Sequence, residues 1–178
     1  AQWHGGRARP IVRDKIILLE RGQIFPLEGN SFFTFGGASS HDIQGGILDR
    51  SSPNFRRDKK WAVCRGLSYR IRNESWWEQE LPTGVEMQKG MDNLSKAGFS
   101  VDYVITHCLS GSMQDKLMRR YSDDTIFCER DILTDYFDQL EQKLQYRGWF
   151  CGHYHVNLEL DEKHMILYKG IVSSDKFQ

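Results

Sequence analysis

Residues 131–155 read "DILTDYFDQLEQKLQYRGWFCGHYH", and the fold turns on how this stretch divides. Its first half sets Ile132, Leu133, Tyr136, Phe137, Leu140 and Leu144 at helical spacing along one face. After Gly148 the periodicity stops, and Trp149, Phe150 and Cys151 make a short apolar run that ends in a glycine and two imidazoles. A helix followed by a short buried strand, with His153 and His155 at the strand's carboxyl end, is the expectation.

The same order stands one step upstream. Residues 84–97 read as an amphipathic helix closed by Gly98, and "VDYVITH" (101–107) is a β-branched and aromatic strand ending in His107. The chain therefore runs helix, strand, His107, then helix, strand, His153. Such alternation points to α/β layering with near-parallel strands, whose ligands gather at the carboxyl ends. Before this, residues 15–37 hold three β-rich runs broken at Arg21-Gly22 and Gly29-Asn30, read as an antiparallel meander. A Gly/Ser-rich loop (36–46) follows, then a polar stretch to about residue 74 without a clear element. Ser75 with Glu78 three residues on predicts a short capped helix stopped by Pro82. The tail, 157–172, predicts a hairpin turning near Asp161-Glu162-Lys163.

With 178 residues and no internal repeat, one domain is expected. Lys plus Arg (24) balances Asp plus Glu (24), so no bulk charge recruits nucleic acid or an anionic membrane. No apolar run approaches the roughly 20 residues of a membrane helix. Cys64, Cys108, Cys128 and Cys151 are scattered without a CxxC pair, which reads as reduced thiols and a cytoplasmic location.

In extended chain, residues i and i+2 share a side, so His153 and His155 would point together, about 6–7 Å apart, with Tyr154 turned away. That suits one metal ion held by both rings, or two ions about 3.5–4 Å apart each taking one ring. Gly152 would let the backbone turn sharply. The alternative is a solvated pair on a loop. His107, ending a second strand, strengthens the metal reading; its own alternative is a strand-end ring bonded to backbone.

"VDYVITHC" followed some forty residues later by "WFCGHYH" resembles the last two metal motifs of the calcineurin-like metallophosphoesterases. "FFTFGGASSHD" and "SWWEQELP" are similar to segments of the bacterial and phage-type branch of that family, in that order. The resemblance covers about residues 3–172. It implies a β-sandwich of two mixed sheets flanked by helices, and a binuclear centre of two divalent ions (Mn, Fe or Zn). His107 and His153 would match ligands of one ion and His155 of the other. The implied chemistry is hydrolysis of a phosphoester by a bridging hydroxide, with a phosphorylated substrate as partner and nucleic acid only as a substrate. The family's Asp-x-His, Gly-Asp-x-x-Asp and Gly-Asn-His motifs do not occur here, so its leaving-group histidine and carboxylate ligands have no match. The chain is thus expected to be the C-terminal part of such a domain, incomplete at its N-terminus. Alone it should bind metal poorly, hydrolyse little and self-associate through uncovered sheet.

Ser40, His41 and Asp42 are candidate substrate contacts, against a plain polar turn. His4 is a candidate neighbour of the metal site or a turn histidine, and His164 reads as structural. Trp76 and Trp77 would stack a base or anchor a helix. Arg119, Arg120 and Arg130 would hold phosphate or face solvent. Two further readings compete with the hydrolase. One is an inactive remnant or interaction module of the same fold; the other is a structural zinc protein built on His107, Cys108, Cys151 and His153.

Overall fold

A computed structural model describes residues 2–13, 15–121 and 128–177. The chain divides into two compact units, one formed by residues up to Ala38 together with those from Pro82 onward, the other by Ser39–Leu81.

In the larger unit, β1 (Gln2–Trp3), β2 (Gly6–Val12) and β3 (Ile16–Leu19) form an antiparallel three-stranded sheet. The strands β4 (Gln23–Leu27) and β5 (Asn30–Phe35) form a hairpin. The expected meander is therefore split. Gly22, at φ 69°, has its Cα packed against the backbone of Gly90. The chain reverses there, leaving β3 with β2 and sending β4 to another sheet. A side chain at residue 22 would meet both the positive φ and that backbone.

The smaller unit contains β6 (Ile47–Leu48), α1 (Phe55–Cys64) and β7 (Arg70–Ile71), with β6 and β7 parallel. The helix α1 occupies the polar stretch where the sequence showed no element, because only Ala62 of its residues is buried and apolar periodicity is lacking. The capped helix expected from Ser75 is a 3₁₀ turn over Glu78–Glu80, and the Ser75 hydroxyl instead accepts the Ile71 N–H at 2.9 Å.

Back in the larger unit lie α2 (Gly84–Lys96), β8 (Tyr103–Thr106), α3 (Gly111–Arg120), α4 (Ile132–Lys143), β9 (Gly148–Cys151), β10 (Leu158–Glu159) and β11 (His164–Ile166). A capping box starts α2: Thr83 Oγ1 accepts the Glu86 N–H at 3.2 Å and Glu86 accepts the Thr83 N–H at 2.8 Å. Asp131 caps α4 by accepting from Leu133 and Thr134 at 2.8 Å. The main sheet runs β10-β11-β9-β8-β5-β4, with β5, β8, β9 and β11 parallel. The α/β class thus holds, with four α-helices and sheets of mixed orientation among the described residues.

Register places Phe33, Val104 and Trp149 side by side, and Phe35 beside Thr106. This face is buried: Phe137 of α4 packs edge-on against Phe35 (5.8 Å) and Trp149 (5.7 Å). Leu133, Tyr136, Phe137, Leu140 and Leu144 are inside as the spacing predicts, while Ile132, the first residue of α4, is exposed. On the other face Ile105 is exposed and Phe150 half-buried under Phe177. Apolar surface also lies open on the β2–β3 hairpin, at Ile11, Val12, Ile16, Ile17 and Leu18. The tail hairpin forms as expected between β10 and β11.

Candidate functional site

Two adjacent parallel strands deliver the histidines. β8 ends at Thr106 and β9 at Cys151, so His107 and Gly152 leave the sheet at the same edge. The Gly152 N–H donates to the His107 carbonyl at 3.0 Å, tying the two exits together. The rings of His107 and His153 meet beyond that bond, with Nε2 of His107 3.3 Å from Nδ1 of His153 and centroids 5.1 Å apart. Loss of solvent around His107, and then the neighbouring His155, hold its pKa below the ordinary histidine value. The ring is therefore neutral at pH 7 and has a lone pair to offer.

The pair is not set by strand alternation. His153 (φ 71°) and His155 (φ 54°) both lie in the left-handed region. The Tyr154 N–H donates back to the Gly152 carbonyl at 2.9 Å, closing a γ-turn around His153. The expected sharp turn is thus made by the histidines themselves. Gly152 needs no special room, since a Cβ there would come no closer than 3.6 Å to another atom. Non-glycine residues held this way cost on the order of 1–3 kcal/mol each and collect at functional sites.

Tyr154, expected to turn away, instead packs its buried ring edge-on against His153 at 5.1 Å and holds the tip. Its buried hydroxyl accepts the Leu109 N–H at 3.0 Å, joining the segment after His107 to the segment between the other two histidines. No sequence motif announced this role; the signal was a tyrosine alternating with two imidazoles. His155 stacks on Tyr168 at 4.8 Å and 26°. The three histidines thus gather at one tip, with His107 and His153 in direct contact.

Two neutral imidazole nitrogens bound to one tetrahedral zinc, at 2.0–2.1 Å each, stand about 3.3–3.4 Å apart. The His107–His153 separation of 3.3 Å is close to that span and is equally that of an imidazole–imidazole hydrogen bond. The pair does not by itself complete a site, because no group of three or more His, Cys, Asp or Glu side chains poised for a metal occurs among the described residues. Cys108 and Cys151 are buried, and burial pushes the Cys108 thiol up to about 12 and that of Cys151 well above its ordinary value. The structural zinc reading needs both thiols and both rings around one point, and no such group occurs among the described residues.

Ser40, His41 and Asp42 belong to the smaller unit. Within it Ser40 Oγ donates to Glu80, and Asp42 receives a two-pronged ion pair from Arg70, which lowers the carboxyl pKa against the opposing effect of partial burial. Trp76 carries the Arg72 guanidinium on its ring. His4 packs edge-on against Trp3 and, with Leu27, Glu28, Asn30 and Phe32, lines a cavity of about 400 Å³. Asn30 starts β5, so this cavity lies toward the end of the sheet opposite the histidine tip. Arg130 pairs with Asp115 (2.6 Å) and Asp138 (3.2 Å), and Arg120 donates to the Leu160 and Glu159 carbonyls. These contacts engage both side chains within the fold. His164 is structural, as read: buried, with Glu141 on Nε2 at 2.9 Å and Asp161 on Nδ1 at 2.8 Å.

No helix among the described residues is long and apolar enough to cross a membrane. Comparison with protein-family models, curated proteins and solved structures finds no match to this chain.

Proposed function

We propose that this chain carries the histidine side of a metal-dependent phosphoester hydrolase centre of the calcineurin-like kind, acting in the cytoplasm on a phosphorylated substrate. The observation that carries the reading is the 3.3 Å approach of His107 Nε2 to His153 Nδ1 at the carboxyl ends of adjacent parallel strands. The two nitrogens share a hydrogen bond whose donor depends on the tautomer, and a divalent cation in place of that proton would be held by both rings. The strained backbone at His153 and His155 supports a role beyond folding.

In this reading His107 and His153 hold one divalent ion (Zn, Mn or Fe), and His155 is the donor on the side of a second. Such an ion, when bound, acidifies a water and polarises a phosphoryl oxygen. The protein's part is to keep His107 neutral, to fix both ring nitrogens through the Tyr154–Leu109 and Gly152–His107 bonds, and to leave the pair open to substrate. A second reading, a non-catalytic module of the same fold, is favoured by the lack of a poised carboxylate beside the histidines among the described residues.

Titration with cobalt(II) or zinc separates these. The hydrolase reading expects one ion per chain, lost in His153→Ala and retained in Cys108→Ala, with Mn²⁺-dependent cleavage of an aryl phosphate or its diester by a longer chain that also carries the family's carboxylate motifs. Ion binding without cleavage supports the non-catalytic module. No ion held through His107 and His153 removes both the metal centre and the hydrolase assignment.

A further inference from the structure

The chain is neutral overall, but its charge is not evenly spread. Helix α1 has four basic residues, Arg56, Arg57, Lys59 and Lys60, against one acid, Asp58, a net +3. By contrast α4 has Lys143 against Asp135, Asp138 and Glu141, a net −2. At 100° per residue, Arg56, Arg57, Lys60, Trp61 and Arg65 follow one another at i, i+1, i+4, i+5 and i+9. All five are exposed. The stripe is about 13 Å long at the helical rise, the length of about four nucleotides at the ~3.4 Å spacing of a stacked strand.

The partners on this stripe matter. Arg57 is paired with Asp58 at 2.9 Å, whereas Arg56 and Lys60 have no ion-pair partner among the described residues. Trp61, 45% exposed, has the Arg65 guanidinium over its ring at 4.9 Å. A planar cation stacked on a half-open indole, flanked by uncompensated cations, is the combination that holds bases by their faces and phosphates by charge.

We propose that the outer face of α1 is a docking surface for single-stranded nucleic acid. Charge complementarity selects a polyanion, and the exposed indole selects one that offers flat rings. A lipid surface fits less well, because an interfacial helix needs a broad apolar face, and Trp61 and Val63 are the only large exposed apolar side chains on α1. The inference does not rest on the hydrolase reading; it concerns the smaller unit by itself.

The test is fluorescence anisotropy of a labelled oligothymidylate with the full chain. Three phosphate contacts give a slope of log affinity on log salt of about −2, hence a roughly twentyfold loss between about 50 and about 200 mM salt. Arg56→Gln with Lys60→Gln should weaken binding at low salt at least about tenfold and flatten the slope by about 1.4. Trp61→Ala should weaken it roughly five- to hundredfold, with Trp61→Phe recovering most of the loss. All three substituted sites are surface positions, and unchanged far-ultraviolet dichroism verifies the fold. No binding by the native chain at low salt overturns the proposal. So does binding indifferent to both sets of substitutions, or binding to phosphatidylserine vesicles without binding to the oligonucleotide. His153→Ala, which tests the metal centre, should leave oligonucleotide binding unchanged.

Discussion

His164 and the His107–His153 pair lie on neighbouring strands of one sheet, yet their surroundings differ in kind. His164 is buried beside Trp149 on the helix-covered face, with a carboxylate on each ring nitrogen. Lys116 adds a third charge through Asp161 at 2.6 Å, and Tyr146 donates to Glu141 at 2.5 Å. Every polar atom of that cluster has its complement, and the cluster ties α3, α4, β11 and the β10–β11 turn together. At the tip, the rings of His107 and His153 are hydrogen-bonded to each other, and His153 stands on left-handed backbone. A satisfied histidine explains itself through folding. The tip pair is bonded ring to ring, and a cation could take the place of the proton the rings share.

Substitutions can break or sharpen this contrast. Glu141→Ala removes the shared acceptor of His164, Tyr146 and Ser110 and strands a buried charge. A loss of about 3–5 kcal/mol in urea unfolding is expected; a loss under about 1 kcal/mol would mean that the cluster is not integral to the fold. Tyr154→Phe leaves the buried Leu109 N–H without its acceptor and should cost about 1–3 kcal/mol. The same change should weaken cobalt binding at the tip, whereas Glu141→Ala in its folded form should not. His153→Gly should act with opposite sign, raising stability by up to about 1 kcal/mol by relieving the positive φ while abolishing metal binding. If it destabilises instead, the tip is a structural element and the strain argument fails.

The smallest effect is in pH. Burial opposes charge on His164, but its hydrogen bonds and fields from Glu141 and Asp161 outweigh it and raise the folded pKa above 6.5. The stability this gives is full below pH 6.5 and is lost as pH rises through the raised value. His107 behaves oppositely: its folded pKa is depressed, so its contribution is present above 6.5 and lost as pH falls through the folded value. Urea midpoints followed across neutral pH should show the alkaline decline disappear in His164→Gln and the acid decline shrink in His107→Gln. Identical profiles for both variants would erase the distinction.

Legibility followed burial. The histidine-bearing strands could be read because "VDYVITH" and "WFC" supply nearly continuous apolar runs, with Tyr103, Val104, Trp149 and Cys151 buried although Ile105 is exposed. The helix α4 could be read because five of its six expected apolar positions face inward. The helix α1 could not, since a helix that buries a single alanine leaves no periodic trace. The split of β3 from β4 depends on the contact of Gly22 with Gly90, which lies 68 residues away and has no local signature. At the site, the three imidazoles were visible as a spacing. Their geometry was not, because extended chain was assumed where the backbone is left-handed. That no group of three or more donors poised for a metal occurs among the described residues could only be seen in three dimensions.

The left-handed backbone at residues 153 and 155 has an evolutionary reading. A library randomised at those two codons and selected only for a folded product would drift toward glycine and asparagine, the residues that tolerate such dihedrals most easily. Histidine surviving at both codons under that selection would mean that folding itself favours it, whereas its loss would measure how far this tip is built for something other than its own stability.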